Sequence, residues 1–255
     1  MIFAVDIGNT NIVAGIMNGS KVVSFDRIST DRSKTDLEYA VLFKSVLDLY
    51  SLSSEQVSGA IISSVVPELN STVKSAIFKI FKVEAMIVGP GIKTGLNIKI
   101  DDPAQLGADM VVAAVACIKE YQRPLIIFDL GTATTISVVD KDANFLGGVI
   151  TAGVRTAVES IVSKTSQLVG ISFDAPSQTI GTNTIDSMRS GSIFGTASMM
   201  DGMIDRITDE IKSEATVIAT GGLAEYIVPY CRHKIICDDS LLLKGLSIIY
   251  EKNRK

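Results

Sequence analysis

The chain alternates short apolar runs at strand spacing with longer stretches of helical period, which predicts an α/β fold. Residues 2–6, 12–17 and 21–25 read as three strands joined by tight turns, an antiparallel meander. Residues 36–50 have helical spacing, with Leu37, Ala40, Val41, Leu47 and Leu49 near one face. Residues 60–64 and 85–88 are further strands, and Pro67 sits where a helix can begin. Residues 105–121 form a long helix that stops before Arg123-Pro124.

The pattern then restarts. Residues 125–129, 134–139 and 145–150 again read as three strands, followed by a helix from about Val154. A long helix over 185–211, a strand over 216–219 and a closing helix over 241–251 complete the chain. Both halves share one local plan, Val5-Asp6-Ile7-Gly8-Asn9-Thr10-Asn11 in the first and Phe128-Asp129-Leu130-Gly131-Thr132-Ala133-Thr134 in the second. Repetition of this kind points to a duplicated domain, with lobes over 1–120 and 121–255 and a hinge near 117–124.

Composition narrows the function classes. At 47% hydrophobic and 20% charged residues the chain is globular, and a net charge of −4 with no Lys/Arg block argues against a nucleic-acid surface. No apolar run reaches the roughly 20 residues that span a bilayer. The opening Met1-Ile2-Phe3-Ala4-Val5-Asp6 reads as a strand and not as a signal peptide, and Cys117, Cys231 and Cys237 form no CxxC pair. A cytoplasmic protein with reduced thiols is the expectation. His233 is the single histidine, so carboxylates, hydroxyls and backbone amides must carry the chemistry.

A strand that ends in Asp and turns through Gly has a use in phosphate chemistry. The glycine lets backbone approach a phosphate, small polar side chains and N–H groups bind its oxygens, and the Asp can hold Mg²⁺. One copy alone is better read as a plain hairpin; two copies reverse that and favour nucleotide bound between two related lobes. No G-x-x-x-x-G-K-[ST] loop is present. Gly89-Pro90-Gly91-Ile92-Lys93-Thr94-Gly95 has the wrong spacing for G-x-G-x-x-G and reads as a turn. Gly221-Gly222 is either a nucleotide contact at a helix start or an ordinary glycine turn, and residues 147–153 either admit a ligand or simply bend. Asp109, in the first turn of a predicted helix, is either a macrodipole carboxylate or a base.

These residues resemble the acetate and sugar kinase, Hsp70 and actin superfamily, and the ordered set resembles the type III pantothenate kinases. The further matching segments are Ser63-Ser64-Val65-Val66-Pro67, the 89–96 turn, Gly107-Ala108-Asp109, Gly181-Thr182-Asn183-Thr184 with Ser187-Met188, and Leu243-Lys244-Gly245-Leu246. The resemblance implies a duplicated actin-like, ribonuclease-H-like two-lobe ATPase fold with mixed sheets. It also implies transfer of the ATP γ-phosphoryl group to pantothenate, the first step of coenzyme A biosynthesis. Carried over, Asp6 serves Mg²⁺, and Asp6, Ile7, Gly8, Asn9, Thr10, Asn11, Ile12 and Val13 line the nucleotide, with Thr132, Gly221 and Gly222 in the second half. Asp129 holds a monovalent cation, K⁺ or NH₄⁺. Asp109 is the base; Ile100, Gly107, Ala108 and Met110 line the pantothenate pocket, and Thr184 reaches substrate in the partner of a homodimer.

Three positions depart from the family pattern: Met110 stands where Arg is usual, Ile100 where Tyr is usual and Ala152 where Pro is usual. Nucleotide-side motifs are kept while the acceptor side is less polar. Two alternatives to an active pantothenate kinase follow, a catalytically weak nucleotide-binding paralogue with an accessory role, and a kinase for another small hydroxyl compound. Met188, Met199, Met200 and Met203 give the 185–203 helix an apolar face suited either to a dimer interface or to the chain's own core.

Overall fold

The computed structural model describes residues 1–254. Its elements in chain order are β1 (Ile2–Ile7), β2 (Asn11–Asn18), β3 (Lys21–Ser29), α1 (Asp36–Leu49), β4 (Gly59–Ser64), α2 (Asn70–Phe81), β5 (Ala85–Ile87) and β6 (Asn97–Ile98). There follow α3 (Ala108–Glu120), β7 (Leu125–Leu130), β8 (Ala133–Val139), β9 (Asn144–Ala152), α4 (Val154–Lys164) and α5 (Thr184–Ile211). The chain closes with β10 (Thr216–Thr220), α6 (Ala224–Ile227), β11 (Ile235–Cys237) and α7 (Leu241–Asn253). The expected strands and helices are present with their ends shifted by a few residues; β6 and β11 are additional.

Two compact units form. One comprises Met1–Leu96, Asp101–Lys119 and the segment from Ser240 onward, the other Asn97–Ile100 and Glu120–Asp239. The closing helix, expected with the second lobe, belongs to the first unit because α7 packs on β1, β2 and β4. Gly245 permits this layer: a Cβ there would lie 2.1 Å from the Val112 carbonyl oxygen of α3.

The first sheet has the order β3-β2-β1-β4-β5 and the second β11-β10-β7-β8-β9-β6. Each contains an antiparallel meander, β1-β2-β3 or β7-β8-β9, flanked by two parallel strands, β4-β5 or β10-β11. The likeness extends to register. Asp6 pairs with Val13 across its hairpin and with Ser63 on the parallel neighbour, while Asp129 pairs with Thr135 and Thr220. Both middle strands carry an irregularity at the matching place, Ile16/Met17 and Val138/Val139. Bulges are placed features of a sheet, so their recurrence supports duplication.

In the first unit, α1 and α2 cover one sheet face with a core that includes Phe3, Val5, Ile7, Tyr39, Phe43, Ile62 and Phe81. The buried face of α1 is Tyr39, Ala40, Phe43, Val46 and Leu47. Leu37 and Val41, expected inward, are 61% and 58% exposed, and Leu49 is exposed as well. The i, i+4 series Tyr39–Phe43–Leu47 has the larger area to bury and sets the rotation of the helix. In the second unit α5 buries Ile193, Ala197, Met200, Ile204 and Ile207 against the sheet. Of its methionines, Met200 belongs to this core, Met199 and Met203 pack against it, and Met188 is buried. Among the described residues no helix is long and apolar enough to cross a membrane.

Candidate active site

In the first unit β1 delivers Asp6 to the head of the meander, where the residue is buried to 8% exposure. Gly8, Asn9 and Thr10 form the hairpin connection to β2. The Gly8 N–H donates to the Asn11 carbonyl at 3.0 Å, and a Cβ on Gly8 would lie 2.9 Å from that oxygen. Thr30 straps the turn from the side: its Oγ1 donates to the Gly8 carbonyl at 2.6 Å and its N–H to the Thr10 carbonyl at 2.9 Å. Asn9, Thr10 and Asn11 are left exposed. Ile7 and Ile12 are fully buried in the core below, so only their backbone is available to a ligand. Arg32 was not singled out by sequence. Its Nη2 donates to Asn9 Oδ1 at 3.2 Å and its Nε pairs with Glu68 at 2.8 Å, which sets a guanidinium beside the turn. In Thr30-Asp31-Arg32-Ser33-Lys34 nothing distinguishes it from a solvated loop cation.

The second carboxylate of this unit is Asp109. The long helix expected from residue 105 starts later, because Pro103–Gln105 makes a 3₁₀ turn capped by Asp102, whose Oδ1 accepts from the Ala104 N–H at 3.0 Å. Asp109 therefore lies in the first turn of α3. Its Oδ1 accepts from the Met110 N–H at 2.8 Å, and a Cβ on Gly107 would lie 2.4 Å from the same oxygen. Residue 107 must lack a side chain for the carboxylate to fold back over the helix start. Withdrawal from water raises the Asp109 pKa above the ordinary range, and the N–H groups of Met110 and Asp109 act in the opposite sense. A carboxylate shifted upward binds a proton more readily, which suits a base. On the resemblance, in which Asp109 is the base of an ATP-dependent kinase, Gly107→Ala is expected to lower kcat roughly a hundredfold with the KM for ATP unchanged, since a displacement near 1 Å at a reacting group costs about that much. Steady-state kinetics check it.

In the second unit the turn after β7 is shorter, and glycines from other elements close around it. A Cβ on Gly153 would lie 2.2 Å from the Gly131 carbonyl oxygen, and one on Gly221 2.7 Å from Asp129 Oδ1. Gly221 also has φ +97°, a left-handed conformation that favours glycine. The Thr132 carbonyl accepts from the Gly153 N–H at 3.1 Å and from Thr156 Oγ1 at 2.7 Å. Asp129, Thr132 and Gly221 are thus neighbours at one end of this sheet. Ile100 follows β6, and its Cγ2 would be 3.9 Å from a Cβ on Gly147.

Thr184 opens α5, capped by Asn183, whose Oδ1 accepts from the Asp186 N–H at 2.9 Å. A groove of about 730 Å³ runs along α4 and α5, lined in part by Ala152, Ile161, Leu168, Thr184 and Met188.

The type III pantothenate kinase profile matches residues 2–206. Proteins of that name from Bacillus cytotoxicus and Exiguobacterium are 43% identical over 253 residues and 44% identical over 255 residues. Those alignments cover 99% of this chain and 97% of the first relative, and 100% of both for the second. The chain belongs to the type III pantothenate kinase family. Solved structures share the fold at lower identity. A Campylobacter jejuni protein described in the Baf family of transcriptional activators superposes at TM-score 0.62, with 19% identity and 99% and 98% of the two chains covered. (R)-2-hydroxyglutaryl-CoA dehydratase component A from Acidaminococcus fermentans superposes at 0.56, with 14% identity and 99% of each chain covered.

Several segments that carried the pantothenate kinase resemblance have visible structural duties. A Cβ on Gly181 would lie 2.4 Å from the Ser187 N–H nitrogen, and Ser187 Oγ donates to the Asn183 carbonyl at 2.8 Å, so that segment builds the start of α5. The 89–95 stretch is a turn, as expected, with Gly91 and Gly95 at φ +91° and +77°. It is pinned to α7, where Asn253 Oδ1 accepts from the Lys93 N–H at 2.9 Å and Lys252 donates to the Thr94 carbonyl at 2.6 Å.

Proposed function

We infer that the chain uses ATP to phosphorylate pantothenate, forming 4′-phosphopantothenate at the start of coenzyme A biosynthesis. The observation that carries this reading is the family match, which extends over essentially the whole chain at 43–44% identity to pantothenate kinases. The duplicated Asp-Gly hairpins supply what such a reaction needs, two exposed turns with a buried or half-buried carboxylate behind each. Phosphoryl transfer asks mostly for positioning and charge neutralisation, so a site without histidine suffices.

Asp6 would hold Mg²⁺, which when bound neutralises phosphate charge. A single carboxylate is adequate, because Mg²⁺ keeps several waters and binds through substrate phosphates. The Gly8–Asn11 turn, through its exposed residues Asn9, Thr10 and Asn11, and the Arg32 guanidinium receive phosphate oxygens. Thr132 and Gly221-Gly222 border the nucleotide in the second unit, and Asp129 would hold K⁺ or NH₄⁺. Asp109 takes the proton of the pantothenate primary hydroxyl, oriented by the space that Gly107 leaves; Ala108 and Met110 flank it. The protein acts in the cytoplasm as a homodimer, with Thr184 reaching the partner's substrate. Exposed Ile161, Val169, Ile180 and Ile185, on or adjoining the groove segments, support that assembly.

ADP release measured with and without pantothenate, in Mg²⁺ and K⁺, tests the reading; release that ignores pantothenate sinks it. Met110 and Ile100 set the rate. A hydrogen bond to a charged group contributes about 1.5–3 kcal/mol, so Met110→Arg with Ile100→Tyr is expected to raise kcat/KM for pantothenate about ten- to a hundredfold. No gain with ATP binding intact points to a different hydroxyl acceptor.

A further inference from the structure

Ser63, like Ser24, is a buried hydroxyl residue of the first unit that lacks a partner. It is 0% exposed, and its Oγ has no hydrogen-bond partner. Burying a hydroxyl without a partner costs stability, and such a group persists where something other than stability holds it in place. Its neighbour in register is Asp6, on the adjacent parallel strand. Register partners on parallel strands point to the same face, and Val5 and Ile62, the preceding pair, both enter the α1–α2 core. Asp6 and Ser63 therefore share the other face. The second unit repeats the arrangement: Thr220, 3% exposed, stands in register with Asp129. Each unit thus sets a small hydroxyl residue in register with its aspartate.

We propose that Ser63 is a positioning residue for the Asp6 cation site, its buried hydroxyl donating to a water of the Mg²⁺ shell next to the Asp6 carboxylate. The inference rests on the kinase reading and adds a residue to it. Hydroxyl and carboxylate enter from neighbouring strands of one sheet, so the spacing between them is set by the strand ladder and not by loop conformation. An outer-shell partner of this kind is worth about ten- to a hundredfold in metal affinity. No step passes through Ser63.

The test is Mn²⁺ binding by electron paramagnetic resonance, with a non-hydrolysable ATP analogue and no pantothenate. Ser63→Ala is compared with Ser24→Ala, which removes another buried, unpartnered hydroxyl of the same unit, on β3. Ser63→Ala is expected to weaken Mn²⁺ about tenfold, with a melting temperature equal to or above that of the parent, while Ser24→Ala leaves Mn²⁺ binding unchanged. Should the alanine variant not fold, Ser63→Cys keeps the volume, replaces the hydroxyl with a weak donor and gives the same reading. Equal Mn²⁺ affinity in folded Ser63 variants and the parent, or equal losses at Ser63 and Ser24, overturns the proposal. A parent that binds no Mn²⁺ with nucleotide overturns the kinase reading and takes this inference with it.

Discussion

Asp109→Asn is expected to lower pantothenate-dependent turnover by about a thousandfold while leaving ATP binding intact, the loss that removal of a general base produces. The substitution keeps the size of the side chain and its contact with the Met110 N–H, so the start of α3 should be unchanged. It also predicts a stability change of definite sign. Burial raises the folded-state pKa of Asp109. The ionised carboxylate is thus less favourable in the folded chain than in the unfolded one, and this deficit is complete above the folded pKa. It fades as pH falls through the folded pKa toward the ordinary aspartate value. Asp109→Asn should therefore melt higher than the parent at pH 8, and the gap should close on acidification. A variant that is inactive but destabilised at pH 8 would point to a structural carboxylate and not a base.

The second large effect belongs to Asp6. Asp6→Asn is expected to lower turnover by roughly two orders of magnitude at fixed Mg²⁺, through loss of charge at the position proposed to hold the cation with few protein ligands. Part of the loss should return as Mg²⁺ is raised, which separates it from the Asp109 defect. Calorimetry of ATP with and without Mg²⁺ checks the assignment. If the variant and the parent bind ATP–Mg²⁺ alike, Asp6 has another role.

Much of this architecture was legible in the sequence because the two meanders announce themselves by period-two apolar runs and a repeated Asp-x-Gly turn. Element type followed from spacing, and the chain of motifs pointed to the family. What stayed illegible was decided by packing between segments distant in sequence. The rotation of α1 depended on which apolar residues meet the sheet, and Tyr39 and Phe43 outweighed Leu37 and Val41. The place of α7 depended on Gly245 admitting the backbone of α3. The α3 boundary shifted because Asp102 and Pro103 form a capped turn of their own. Asp6, Asp109 and Asp129 could be picked out by motif. Arg32 and Ser63 could not, since a loop arginine and a strand serine gain meaning only from the turn and the carboxylate beside them.

The most direct test of the account is transfer of label from [γ-³²P]ATP to pantothenate by the purified protein, in Mg²⁺ and K⁺, with products separated by chromatography. The account predicts label in a phosphorylated pantothenate, absent with Asp109→Asn and increased with Met110→Arg. Label that stays in ATP, or appears only as inorganic phosphate whether or not pantothenate is present, would contradict it.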